Sequence, residues 1–165
     1  MTIPVQTGTK NEILRTVSKP VKTVTAELRA FAAEMVKTMD EENGVGIAAP
    51  QVGRNIRMVI CKFNPGEHNE VIIPMVNPII LEASAKTKKG EEGCLSLPGV
   101  WGKVERSTQL LLRYTTLKGQ DQTLELTDFN ARIIQHEIDH LDGVLFVDRA
   151  TDVKEAKKGE KVAHI

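Results

Sequence analysis

Residues 135–140 read QHEIDH, two histidines four apart with a glutamate after the first. In a helix, positions i and i+4 share one face, so His136 and His140 can reach the same cation. Glu137 stands beside the first of them, where a carboxylate can take a proton from a water that the cation activates. Two ordinary helix histidines would give the same five letters. The chain, however, has four histidines in all, and two fall here. The stretch also carries Phe129, Ile133, Ile134, Ile138 and Leu141 on more than one face. A helix that apolar needs a reason to keep a glutamate and two histidines among its inward positions.

A catalytic metal site of this type needs a third protein ligand and an open position. After the helix the glutamates are Glu155 and Glu160, both in a lysine-rich stretch, and position 146, where a metzincin needs histidine, is Phe146. A zinc-protease reading therefore lacks its third ligand. Cys94, in EEGCLSLPG, is the alternative, because Gly93, Pro98 and Gly99 give it the surroundings of a shaped loop. A thiolate and two imidazoles would leave a divalent cation with a charge of about +1 and one free corner. Cys61, inside MVICKF, reads as a buried inert thiol. A different use of the same residues makes Cys94 a nucleophile with His136 as its base. That enzyme would work without metal and would be blocked by alkylation.

The elements that must position these residues follow from periodicity. Residues 1–24 are broken by Pro4, Gly8 and Pro20 and read as irregular. Leu28, Phe31, Ala32, Met35, Val36 and Met39 form one apolar helical stripe, with Thr25 as N-cap and Asn43-Gly44 as the stop. GVGIAAPQVG is too glycine-rich for a helix, and IRMVICKF reads as a strand followed by the loop NPGEHNE. VIIPMVNPIIL holds two prolines, which predicts short or edge strands. QLLLRYTT and QTLEL flank a turn at Gly119 and predict a hairpin. The metal-motif helix begins near Asp128 as N-cap and ends at Gly143. Helix, strands and helix without a βαβ rhythm predict an α+β fold with mainly antiparallel sheets around that C-terminal helix. We divide the chain into a catalytic unit, 1–148, and a charged tail, 149–165, expected to be solvated and frayed.

Bulk properties exclude several classes. Lys+Arg and Asp+Glu are both 22, so nothing in the net charge advertises nucleic acid. No run of 18 apolar residues is present, and the first residues show no signal-peptide pattern. Two cysteines are too few for a disulfide scaffold. A reduced, cytoplasmic protein is the expectation.

Three stretches now stand together: GVGIAAPQ at 44–51, EGCLS at 92–96 and QHEIDH at 135–140. In this order and at this spacing they resemble the motifs of the peptide deformylase family. The resemblance runs from EILRTVSKPV near the start to GVLFVD at 143–148. It implies that Cys94, His136 and His140 are metal ligands and that Glu137 is the general base and later the acid. It implies that Gln51 and the Leu95 amide bind the formyl oxygen. Gly46 would pair with the peptide by its backbone, and Gly93 would join the substrate contacts. Val45, Phe129 and Ile133 would wall the methionine pocket, and Glu92 and Arg106 would form an ion pair under the cysteine loop. The implied cofactor is one divalent metal, iron(II) in the cell, with zinc, nickel or cobalt as substitutes. The implied partners are N-formylmethionyl nascent peptides and, more weakly, the ribosome. Another metallohydrolase, a protease or amidase, would use the same helix, and an inactive formyl-peptide binder would show a lost ligand or a lost Glu137. Neither loss is seen in this sequence. Trp101 stands near the cysteine loop, either lining the groove or simply packing.

Overall fold

The computed structural model describes residues 1–157 and 160–165. One helical turn, α1 (Glu12–Arg15), falls where the sequence reads as irregular. Asn11 starts it by accepting from the Ile13 and Leu14 amides, a capping effect that leaves no periodic trace. α2 (Ala26–Glu41) begins behind Thr25, whose side chain accepts from the Leu28 amide. Asn43, in the left-handed region at φ 57°, turns the chain away from it.

The strands are β1 (Gly46–Ala48), β2 (Met58–Phe63), β3 (Val71–Ala83), β4 (Thr87–Cys94), β5 (Leu97–Ser107), β6 (Gln109–Thr115), β7 (Asp121–Thr127) and β8 (Thr151–Glu155). They form a five-stranded sheet, order β1-β2-β3-β6-β7, and a three-stranded sheet, order β4-β5-β8. Every pairing between these strands is antiparallel, as an α+β fold of this kind requires. Side chains of β2 alternate between two cores. Val59 and Cys61 face the cluster that contains Ile133, Ile134 and Leu141 of the last helix, and Met58 and Ile60 face the cluster under α2. The larger sheet is thus apolar on both faces.

β3 departs from expectation. It is one long strand in the middle of the larger sheet, not a short or edge strand. Pairing with β6 begins only at Val76, so Pro74 has a neighbour on the β2 side alone. Pro78 falls in the register shift between Val76 and Ile79, beside Asn77 at φ 50°. Each proline sits where one ladder is interrupted, which is how a central strand tolerates it.

α3 (Asp128–Leu141) packs against β1 and β2 of the larger sheet and β5 of the smaller one. Thr127, not Asp128, holds the N-cap position, and its side chain caps nothing. Gly143 leaves α3 at φ 73°, and a Cβ there would lie 2.6 Å from the Arg15 carbonyl oxygen. Replacing Gly143 by alanine will therefore lower stability by about 1–3 kcal/mol, combining left-handed strain with a backbone clash. Thermal unfolding measures it, and an unchanged melting temperature would refute this account.

The charged segment after Asp148 also departs from expectation. Thr151–Glu155 form β8 on the outer edge of β5, with Trp101 opposite Lys154, and Ile165 is 3% exposed. All five β8 side chains are exposed. Ladder hydrogen bonds to an open sheet edge hold this strand, and they leave no apolar pattern in the sequence.

Candidate metal centre

Cys94 ends β4, and the chain turns through Leu95 and Ser96 into β5. A register shift between Gly93 and Cys94 changes the pairing at this point. Across from the turn, α3 presents His136 and His140 one helical turn apart. One ligand atom from each of Cys94, His136 and His140 lies within 4.8 Å of the other two, and all three residues are buried. Cys94 Sγ is 3.2 Å from His140 Nε2.

Glu92 orients the first histidine. Its Oε1 lies 2.8 Å from His136 Nδ1. Burial alone would raise the Glu92 carboxyl, but hydrogen bonds from His136 and Arg106 outweigh it and hold the group well below the usual carboxylate range. An ionised carboxylate accepts, so Nδ1 is the nitrogen that donates to Glu92, and Nε2 is the one left to face a metal. That Nε2 is buried and has no partner. Burial first, and the neighbouring charge next, lower His140 well below its ordinary value and favour its neutral form, the one that ligates. Burial pushes the Cys94 thiol up to about 12, so an adjacent cation is what would make it a thiolate. Orphaned imidazole nitrogen, buried sulfur and mutual spacing fit a single divalent ion.

Glu137 is fully buried, and neither of its oxygens has a hydrogen-bond partner. Burial first, and the charge of Glu92 next, raise its carboxyl well above the ordinary value. Gln51 lies in a 3-10 turn, Ala49–Val52, where its Oε1 accepts from the Ala48 amide at 2.9 Å. That bond fixes the amide orientation. Nε2 then points inward, 3.1 Å from Ser96 Oγ and 3.5 Å from Cys94 Sγ. The site thus joins a metal-ligand set, a poised carboxyl and an oriented amide donor.

A family profile described as Polypeptide deformylase matches residues 5–156. The chain belongs to the polypeptide deformylase family. Among curated relatives, the peptide deformylase of Rhodopseudomonas palustris strain BisB18 is 43% identical over 155 residues, 91% of this chain and 89% of that one. Peptide deformylase 2 of Gloeobacter violaceus is 42% identical over 84% of this chain and 74% of its own. Among solved structures, the Thermotoga maritima deformylase superposes with a TM-score of 0.85 at 35% identity, covering 92% of this chain and 99% of its own. The class I type b deformylase of Acinetobacter baumannii bound to Met-Ala-Ser gives 0.83 at 41% identity, covering 90% and 98%.

The remaining residues singled out in this deformylase chain are placed as follows. Ile133 is fully buried in the cluster against which half-buried Val45 packs. Leu95 follows Cys94 directly and is buried. Phe129 is not enclosed: it is 45% exposed, on the wall of an open cleft of about 230 Å³ with Lys88, Lys89 and Arg132. Trp101 lies opposite Gly93 across the β4–β5 ladder, with Lys154 Nζ 5.2 Å from its ring centre. Gly46 begins β1, and a Cβ on it would overlap the Glu137 carboxyl, whose Cδ would be 2.8 Å away. Replacing Gly46 by alanine will displace Glu137 and lower kcat about 100-fold, the loss expected from a displacement near 1 Å. The circular dichroism spectrum should not change, and a near-normal kcat would refute the steric account.

Sequence reasoning paired Glu92 with Arg106 but missed the larger network. Arg106 grips both Glu92 oxygens, from Nε at 3.0 Å and Nη2 at 2.9 Å, and reaches Asp139 at 2.6 Å. Arg132 Nη1 adds a third guanidinium bond to Glu92 at 2.7 Å and also donates to the Val104 carbonyl. Arg149 closes the chain of charges on Asp139. The one hint in the sequence was an arginine four residues before His136, on the same helix face; its burial and its partner are visible only in the structure.

Proposed function

We propose that this chain hydrolyses the N-formyl group from the N-terminal methionine of nascent polypeptides, releasing formate. The observation that carries the reading is the buried Cys94/His136/His140 set beside an unpartnered Glu137 and an oriented Gln51 amide. Cys94 Sγ, His136 Nε2 and the His140 ring would hold the ion. When bound, a divalent cation supplies a Lewis acid that polarises the formyl carbonyl and brings the pKa of water to about 7.

Glu137 takes a proton from the attacking water and passes it to the departing methionine amine, so water is split between formate and a free N-terminus. Gln51 Nε2 and the Leu95 amide donate to the formyl oxygen as it gains charge, each worth about 3–4 kcal/mol in comparable sites. Val45 and Ile133 wall the methionine pocket, with the exposed Phe129 ring outside that cluster. Gly46 and Gly93 offer backbone groups on β1 and β4, edge strands of the two sheets, so the peptide enters as an added strand. The Met-Ala-Ser complex of the Acinetobacter baumannii relative supports this assignment of substrate.

We assign iron(II) as the metal in the cell, with zinc, nickel or cobalt able to load the same donors. A thiolate-ligated iron(II) site exposes Cys94 to oxidation. The substrate places the enzyme in the cytoplasm, where it meets chains leaving the ribosome. The described residues include no helix long and apolar enough to cross a membrane.

The test is formate release from formyl-Met-Ala-Ser by protein purified without oxygen. Activity should vanish on chelation and return with iron(II), nickel or cobalt. Absence of formate from the iron-loaded protein would overturn the assignment.

A further inference from the structure

The end of the described chain occupies a definite place. Ile165 is 3% exposed and belongs to the same apolar cluster as Ile133, against which Val45 packs. The Ile165 amide donates to the Gly93 carbonyl at 3.1 Å. A Cβ on Gly93 would stand 2.5 Å from the Ala163 carbonyl oxygen and 3.0 Å from Val162 Cγ1, so the bare glycine is what admits this segment. His164 lies within reach of the charge of Glu42, the C-cap of α2 just ahead of Val45 and Gly46. Residues 162–165 therefore lie between the β4 wall and the wall leading into β1. Delivery is by β8, which hydrogen-bonds to β5 beside Trp101, and the Ala156 amide then donates to the Gly99 carbonyl.

We propose that Val162–Ile165 is an intramolecular ligand of the peptide groove, with Ile165 seated in the methionine pocket, and that it must leave before substrate binds. The proposal rests on the pocket assignment made above. Segment and substrate claim the same Gly93 carbonyl and the same apolar cluster, so they exclude each other. Among the surrounding charges of KKGEKVAHI, the apolar residues Val162, Ala163 and Ile165 are the ones that meet the groove. A segment docked for about nine-tenths of the time raises the apparent KM about tenfold, because only the open fraction accepts substrate.

Ile165→Asp should lower KM for formyl-Met-Ala-Ser about tenfold at unchanged kcat, with Ile165→Ala moving it the same way by less. Trp101 gives a readout that does not depend on turnover. It is the chain's one tryptophan and shares a cleft with Glu160, Lys161, Val162 and Ala163. Saturation with Met-Ala-Ser should shift wild-type Trp101 emission to that of Ile165→Asp and leave the variant unmoved. A measured KM equal to wild type in both variants overturns the proposal, whatever the emission does. If no chain releases formate but the emission pattern holds, the docked segment stands and the deformylase reading falls.

Discussion

Glutamine in place of Glu137 will give a folded protein that still holds its metal and releases formate about 10³-fold more slowly, within the usual span for loss of a general acid–base group. Glutamine fills the same volume against Gly46, so steric effects are small. It neither accepts a proton from water nor returns one to the leaving amine. Metal content should be unchanged, because the proposed ligands are Cys94, His136 and His140 and not Glu137. Formate release within tenfold of wild type would remove Glu137 from its role.

The same substitution has a second, oppositely signed effect. Burial raises the Glu137 carboxyl well above its unfolded value of 4.5. In the metal-free chain the folded state therefore favours the protonated form. That contribution is fully present below the unfolded value and is lost as pH rises through the folded pKa. Glutamine does not ionise. Chelated Glu137→Gln should thus melt higher than chelated wild type at about pH 8, and the two should converge near about pH 4. The buried carboxyl is a burden on the empty fold and is retained for chemistry.

Glu92→Ala carries the largest expected loss of stability. The Glu92 side chain is fully buried, and Arg106 and Arg132 are 5% and 9% exposed. Removing the carboxylate leaves two buried guanidinium groups short of a partner, a change that typically costs about 3–5 kcal/mol. Arg106 keeps Asp139, and Arg132 keeps the Val104 and Lys88 carbonyls, so the lower half of that span is expected. His136 also loses the acceptor that fixes its Nδ1 proton, which should weaken metal affinity about 10–100-fold. Denaturant titration and a metal-competition assay separate the two effects. Metal affinity equal to wild type in the folded variant would show that Glu92 is a structural anchor only.

What the sequence could reveal was decided by how far each partner lies along the chain. His136 and His140 are four residues apart, and the helical repeat places them together without reference to the rest of the fold. α2 and α3 announced themselves by apolar stripes, and the β6–β7 hairpin by its turn. Cys94 became legible through the loop chemistry around it. The bond from Arg132 to Glu92 spans 40 positions and forms only because β4 and α3 meet. No local pattern encodes that meeting. The central place of β3 was hidden because its prolines coincide with gaps in pairing that depend on where β6 begins. β8 was hidden because it is held by backbone groups and exposes every side chain. The seat of Ile165 was hidden because a single apolar residue after a charged run has no period.

α3 is enclosed by both sheets while carrying His136, Glu137 and His140 on its inner turns. The amides of its buried turns are expected in the slowest-exchanging class, those released only when the whole domain opens. The reacting groups therefore have no private opening of their own. On warming, the iron-loaded enzyme should keep its turnover up to the temperature at which the fold itself gives way, and activity and near-ultraviolet dichroism should disappear on one curve.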